Sequence, residues 1–257
     1  MALPRLIRSP FAKLTPQTPA EFSRWLAEPL GASILAQQQA VLAEVLPRLP
    51  GTRALQCSVG TPPPLLSSCV MPLTWTLSAS AGADLQARPS QLPIPPQCLD
   101  LVVLHHSLDF EDDPHLLLGQ VSRALQPGGA LVVIGFQPLS LWGLARLLRR
   151  RRSAPWSGRF IRPHRVSDWL QVLACEVDGL EGGEYGLPRA RQGRLARLWS
   201  RIGRRLWPQH GAFYVLVARK RAAMMRPLRP RFALPEQAPN VIAVPMARWQ
   251  RRQRPVD

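Results

Sequence analysis

Apolar positions in this chain occur either as continuous short runs or as stripes at helical spacing, and their order outlines a fold. Leu99-Asp100-Leu101-Val102-Val103-Leu104 is an apolar run led by an acid, which reads as a strand buried on both faces of a parallel sheet. Asp113-Pro114 then supplies an N-cap and a first-turn proline. Leu117, Val121 and Leu125 repeat at helical spacing, and Pro127-Gly128-Gly129 is expected to stop the helix. Ala130 to Gly135 is a second buried run. Strand, helix and strand in this order make a βαβ unit, with parallel strands joined right-handedly.

The same rhythms extend to both sides. Thr18-Pro19-Ala20-Glu21 is a capping box with proline at N1, opening a helix with Phe22, Trp25 and Leu26 on one face. Gly31 is expected to break it. Ser33 is expected to cap a second helix striped by Ile34, Val41, Leu42, Val45 and Leu49 and ended by Pro50-Gly51. Arg53 to Cys57 is a strand candidate with Ser58-Val59-Gly60-Thr61 as the loop behind it, and Met71 to Ser78 is another. Beyond the βαβ unit, Phe160 to Leu170 opens a helix, Cys175 to Leu180 reads as a strand, and Ala212 to Ala218 as the last one. Residues 189–207 place Leu195, Leu198, Trp199, Ile202 and Leu206 on one stripe among arginines. Residues 1–17 are expected to form a flexible arm and residues 223–257 a disordered, basic, proline-rich tail, which leaves 18–222 as one domain with an N-terminal helical cover.

At 257 residues the chain can hold one α/β domain with a sizeable core, and its 28 prolines predict many irregular segments. The formal net charge of +17 is unevenly placed. Residues 1–144 carry 8 basic and 9 acidic side chains, residues 145–221 carry 18 and 5, and residues 222–257 carry 7 and 2. A surface so charged attracts polyanions or anionic lipid headgroups, with a strength that falls with salt; a solvated arginine-rich face is the alternative. Leu139, Leu141, Trp142 and Leu144 precede Arg146 and Arg149 to Arg152, an apolar stretch followed by cations that suits a membrane interface better than nucleic acid.

Cys57, Cys69, Cys98 and Cys175 form no CxxC pair and read as reduced core thiols of a cytoplasmic protein. No signal peptide is visible, and the longest apolar stretch, Gly129 to Leu148, is interrupted by Gln137, Pro138, Ser140 and Arg146. His105, His106 and His115 match no metal-ligand pattern, so no metal is expected.

Leu92-Pro93-Ile94-Pro95, Asp100-Leu-Val-Val, Val121-Ser-Arg-Ala-Leu-Gln-Pro-Gly-Gly129 and Leu131-Val-Val-Ile together resemble the second half of class I S-adenosylmethionine-dependent methyltransferases, within the type-11 group. Gly135 to Gly143 resembles more narrowly a set of uncharacterised bacterial methyltransferase-like proteins. The resemblance implies a Rossmann-like α/β fold: a seven-stranded, mostly parallel sheet in which the strand near 100–105 lies between those near 53–57 and 130–135, with an antiparallel last strand. It implies S-adenosylmethionine as cofactor and methyl transfer to an unidentified, lipophilic small-molecule acceptor.

By position, the resemblance assigns Gln56, Cys57, Ser58 and Gly60 to the methionine part of the cofactor. Leu92 falls to the adenine, His105 is a further cofactor-binding candidate, and His106 matches a position beside cofactor and substrate. His106 becomes the base or positioning group; alternatively, one imidazole caps a helix or bonds a backbone carbonyl. The chain departs from the pattern where the family has an acid, glycines and a ribose-binding acid. Gln56 stands at the acid, Ser58 and Pro62 at two glycines, and no acid occurs between Met71 and Gly82. Arg88 stands where an acid commonly meets adenine, with Asp84 as a displaced substitute. These departures keep open a second reading, a non-catalytic methyltransferase-like protein that holds RNA or an anionic membrane through its basic half.

Overall fold

The computed structural model describes residues 18–148, 154–183 and 211–222. The arm, Arg149 to Arg152, the cationic stripe of 189–207 and the tail lie outside them. Two helices come first, α1 (Thr18–Ala27) and α2 (Pro29–Val45), then strands β1 (Arg53–Ser58), β2 (Leu73–Ser78), β3 (Leu85–Gln86) and β4 (Leu99–His105). A single turn, α3 (Ser107–Phe110), and α4 (Pro114–Ala124) lead into β5 (Leu125–Phe136), followed by α5 (Leu141–Leu148), α6 (Pro163–Val172), β6 (Cys175–Gly183) and β7 (Phe213–Lys220).

The strands form one sheet in the order β3-β2-β1-β4-β5-β7-β6. β1, β2, β3, β4 and β5 run parallel, and β7 lies antiparallel to both β5 and β6, so one strand of seven is reversed. β4 sits between β1 and β5, as the βαβ spacing requires. Every residue of β4 is buried, because helices cover both faces at the centre of the sheet. One face packs under α1 and α2, with Phe22, Ile34 and Leu42 against Leu101, Val103 and Val132. The other packs under α4 and α6, with Leu117, Val121, Val166 and Leu170 against Val102, Leu104 and Leu131.

Two helix expectations are corrected. α2 starts at Pro29 rather than at Ser33, and Gly31 lies inside it instead of breaking the chain. Gly31 is needed for closeness: a Cβ there would collide with the Trp25 carbonyl oxygen at the α1–α2 corner. The Pro-Gly-Gly stretch is likewise part of β5, where the pairing with β4 shifts register between Leu99 and Leu101. α1 behaves as expected, burying Thr18, Phe22, Trp25 and Leu26. A helix of 10 residues is marginal alone, and burial of each large side chain contributes about 1.5–3 kcal/mol that holds it down. Of the thiols, Cys57 and Cys175 are buried but Cys69 and Cys98 are half-exposed, which corrects the expectation of four core thiols.

The acid at the head of β4 has a structural task. Asp100 Oδ2 accepts hydrogen bonds from Thr52 N (2.9 Å), Arg53 N (3.0 Å) and Thr52 Oγ1 (3.1 Å), which fixes where β1 enters the sheet. Burial works against its charge, yet these bonds together with Arg53 hold the carboxyl below its ordinary range. Asp100→Ala should cost about 1–3 kcal/mol in urea unfolding, because two backbone donors lose their acceptor. Asp100→Asn, which keeps an oxygen, should cost less. Since the folded carboxyl is the stronger acid, its contribution is complete above the unfolded pKa and fades as pH falls through the folded one, so the gap between wild type and Asp100→Asn should close in acid.

Candidate functional site

Ligands of open parallel sheets bind at the carboxyl ends of the strands, where the strand order reverses. Here the reversal lies between β1 and β4. At that place a cleft of about 280 Å³ is lined by Val59 behind β1, Ala79 and Ser80 behind β2, Arg88 and Pro89, and Ser107, Glu111 and Asp112 behind β4. Pro19 and Ala20 of the first turn of α1 close one side.

The loop behind β1 is tied to itself. Gln56 Nε2 donates to Ser58 Oγ (3.0 Å) and to the Pro63 carbonyl (2.8 Å), Ser78 Oγ donates to the Gly60 carbonyl (2.8 Å), and Ser107 Oγ to the Cys57 carbonyl (3.0 Å). Gln56, Cys57 and Ser58 are all buried. Burial pushes the Cys57 thiol up to about 12, so it has no thiolate chemistry to offer. Gly60 faces α1. A Cβ on it would fall on Ser23 Oγ and lie 2.6 Å from the Pro19 carbonyl oxygen, and the neighbouring Thr61 N–H donates to Ser23 Oγ at 2.8 Å.

His105 and His106 end β4 beneath the helical cover, both fully buried. His106 has a left-handed backbone (φ +54°) that starts α3. Gln38 of α2 stands between the imidazoles, with Oε1 3.2 Å from His105 Nε2 and Nε2 2.9 Å from His106 Nε2. With the amide so placed, His105 donates from Nε2, and His106 accepts at Nε2 and pairs through Nδ1 with Asp109 Oδ2 at 2.9 Å. Asp109 Oδ2 also accepts the Phe136 N–H at 3.0 Å. His106 stacks on Phe136 with ring centres 4.0 Å apart and meets the edge of Phe22 at 5.4 Å. Burial, first of all, holds both imidazoles below their ordinary range and pushes the Asp109 carboxyl well up.

The assigned residues therefore divide. Val59 alone of the β1 loop lines the cleft, whereas Gly60 lies against Pro19 and Ser23 of α1, Gln56, Cys57, Ser58 and Leu92 are buried, and His105 and His106 belong to a buried polar cluster that does not line it. Asp84 does not enter the cleft; its Oδ2 accepts from Thr76 N and Thr76 Oγ1, both at 2.8 Å, and joins β2 to β3. His115 lies against Trp169, ring centres 4.1 Å apart. The sequence reading missed Gln38 and Glu111. Gln38 was detectable as a polar residue in the middle of the Ile34–Leu42 stripe. Glu111 hid in an acidic run read only as a helix start. Burial pushes its carboxyl up, Ser90 and Arg88 pull it back, and Asp112 adds to the rise.

Residues 73–133 match a family described as a methyltransferase domain. The chain is 34% identical over 144 residues to an uncharacterised protein of Escherichia coli K12, YafS; the match takes in 54% of this chain and 55% of that protein, so it spans about half the length of the curated relative. Among solved structures, the chain resembles an S-adenosylmethionine-dependent methyltransferase of Thermotoga maritima (TM-score 0.56, 20% identity, 79% of this chain and 96% of that one). It also resembles a geranyl diphosphate C-methyltransferase of Streptomyces coelicolor solved with S-adenosylhomocysteine (TM-score 0.51, 15% identity, 82% of this chain and 100% of that one). A methyltransferase complex with the Trm112 activator of Haloferax volcanii scores 0.55 at 14% identity, covering 79% of this chain and 97% of that one. The chain is thus methyltransferase-like in fold and in the sequence of its central strands.

The buried imidazoles give the fold a pH dependence with a definite sign. Unfolded histidine gains its proton near pH 6.5, whereas folded His106 does so only at about 3. Stability should be full above pH 6.5 and fall from there towards pH 3, because the unfolded chain binds protons that the fold refuses. Asp109 works the other way: the fold keeps a proton that an unfolded carboxyl, with a pKa of 3.8, releases, which lowers stability as pH rises above that value. His106→Asn suits the left-handed position and removes one imidazole, so it should flatten the acid limb of the urea midpoint against pH. An unchanged limb would assign the effect elsewhere.

Proposed function

Because a methyltransferase-like sheet carries this cleft at its point of strand reversal, we propose that the cleft holds the adenosine part of S-adenosylmethionine and that the chain transfers the methyl group to a small-molecule acceptor. The observation that carries the reading is the cleft's place between the loops behind β1 and β4, with polar groups gathered at its rim. Glu111 and Ser80 are the groups offered to ribose hydroxyls, in place of the acid missing from the end of β2. Arg88 and Pro89 border the base. When bound, the cofactor supplies a methyl group activated by a sulfonium, and its in-line displacement leaves the protein to orient the acceptor and exclude water, with at most one base. His106, the base or positioning candidate, is bonded through both ring nitrogens and does not line the cleft, so the part proposed for it is positioning: its turn begins α3, which brings Ser107 to the cleft.

We further propose that the protein works as a cytoplasmic enzyme at an anionic membrane. Leu139, Leu141 and Leu144 are 51%, 45% and 53% exposed, and the chain then runs into Arg149 to Arg152. Trp142, expected to share that outward face, is instead buried between Phe136 and Trp156. Three leucines remain as the apolar contact. No helix among the described residues is long and apolar enough to cross a membrane.

Calorimetry with S-adenosylmethionine should give binding that Glu111→Ala weakens about tenfold or more, the cost of a hydrogen bond to a charged group. Silence at millimolar cofactor would favour the non-catalytic reading. In co-sedimentation at physiological salt, vesicles with anionic lipid should retain the protein and neutral vesicles should not. Leu141→Ser with Leu144→Ser should reduce the bound fraction several-fold, whereas capture by RNA at matched salt but not by vesicles would move the basic half to nucleic acid.

A further inference from the structure

The cleft is lined by Val59 but not by Gly60 or Thr61, which lie against α1. The loop assigned to the amino-acid arm of S-adenosylmethionine is the one on which the first turn of α1 rests. Glycine in such loops serves to let a ligand approach the backbone closely. At Gly60 the close approach is made by the protein, since Ser23 Oγ and the Pro19 carbonyl occupy the space a Cβ would take. The contact is bonded as well as packed. Ser23 Oγ accepts the Thr61 N–H at 2.8 Å and donates to the Pro19 carbonyl at 2.9 Å, so one hydroxyl fastens the helix to the loop. What stays open is the space of about 280 Å³ bounded by Val59, Ser80, Arg88, Ser107 and Glu111, with Pro19 and Ala20 of α1 closing one side.

We propose that the first turn of α1 is a gate across this site: with Ser23 fastened to Thr61 the cleft admits a nucleoside with a short 5′ substituent, and the amino-acid arm of a full S-adenosyl compound enters only when that turn is released. The inference rests on the adenosine reading of the cleft and adds to it a ligand preference and a device that controls it. Release is local. Ser23 and the Pro19 carbonyl belong to the turn before Trp25 and Leu26, whose burial keeps the rest of α1 seated. The same movement begins to uncover the imidazole pair, because Phe22 lies on both His105 and His106, with ring centres 5.9 and 5.4 Å away.

The test compares 5′-methylthioadenosine with S-adenosylhomocysteine by calorimetry on the full chain and on Ser23→Ala. The wild type should bind methylthioadenosine more tightly than S-adenosylhomocysteine. Ser23→Ala, which only removes the hydroxyl, should tighten S-adenosylhomocysteine about fivefold, roughly the worth of one hydrogen bond, and leave methylthioadenosine within about twofold. Its melting transition should stay cooperative, and Ser23→Thr, which restores a hydroxyl, should return the preference towards wild type. If S-adenosylhomocysteine binds wild type as tightly as methylthioadenosine, or if Ser23→Ala leaves the ratio unchanged, the gate is overturned while the adenosine reading stands. If neither compound binds, both fall together.

Discussion

Four polar side chains without access to water, Gln38, His105, His106 and Asp109, are buried together and bonded to one another, with His105 Nδ1 left without a partner. The amide of Gln38 is the piece that makes this possible, since it accepts from one imidazole and donates to the other. The consequences reach outward. Gln38 belongs to α2, so the chain of bonds fixes the cover on the carboxyl end of β4. His106 must turn into a left-handed conformation to meet both Gln38 and Asp109, and that turn starts α3 and carries Ser107 and Glu111 to the cleft. Asp109 in turn holds the Phe136 N–H at the end of β5, so the ends of the two central strands and the cover are joined through one carboxyl and one amide.

The parts of the fold that were legible in the sequence are those governed by period and burial. β1, β4 and β5, their parallel pairing and the Asp113 cap of α4 follow from uninterrupted apolar runs and from a proline at N1. Gly31 and the Pro-Gly-Gly stretch were misread because glycine serves two purposes. In a linear pattern a glycine that ends a helix looks the same as one that lets a carbonyl approach, and only the Trp25 oxygen distinguishes them. The site was less legible for a related reason: its polar groups come from segments far apart in the chain. Glu111 and Ser80 belong to no spacing that marks a ligand, and resemblance alone placed His106 at the site without showing that its nitrogens are already engaged.

Charge and shape separate along the chain in a way that bears on use. Residues 1–144 are nearly balanced, and several described cations of the basic part that follows are tied to structure: Lys220 Nζ donates to the Ser122 and Leu125 carbonyls at the end of α4, and Arg219 pairs with Asp178 at 3.1 Å. Arg146 donates to the Trp156 carbonyl at 3.0 Å beneath the aromatic layer. These cations steady the sheet edge and α5.

The departures from the methyltransferase loop gain a common explanation when taken as one network. An acid at position 56 could not donate to the Pro63 carbonyl, and glycine at 58 would give the Gln56 amide no hydroxyl to reach; Gln and Ser together satisfy each other and pin the loop from behind. Ser78, at the end of β2, spends its hydroxyl on the Gly60 carbonyl rather than offering it outward. Ser23 then satisfies the Thr61 N–H from the front. These hydrogen bonds of the loop are thus made within the protein. Gly60 is the position where α1 comes closest, so the loop is held from behind by Gln56, Ser58 and Ser78 and from the front by Pro19 and Ser23 of its own N-terminal helix.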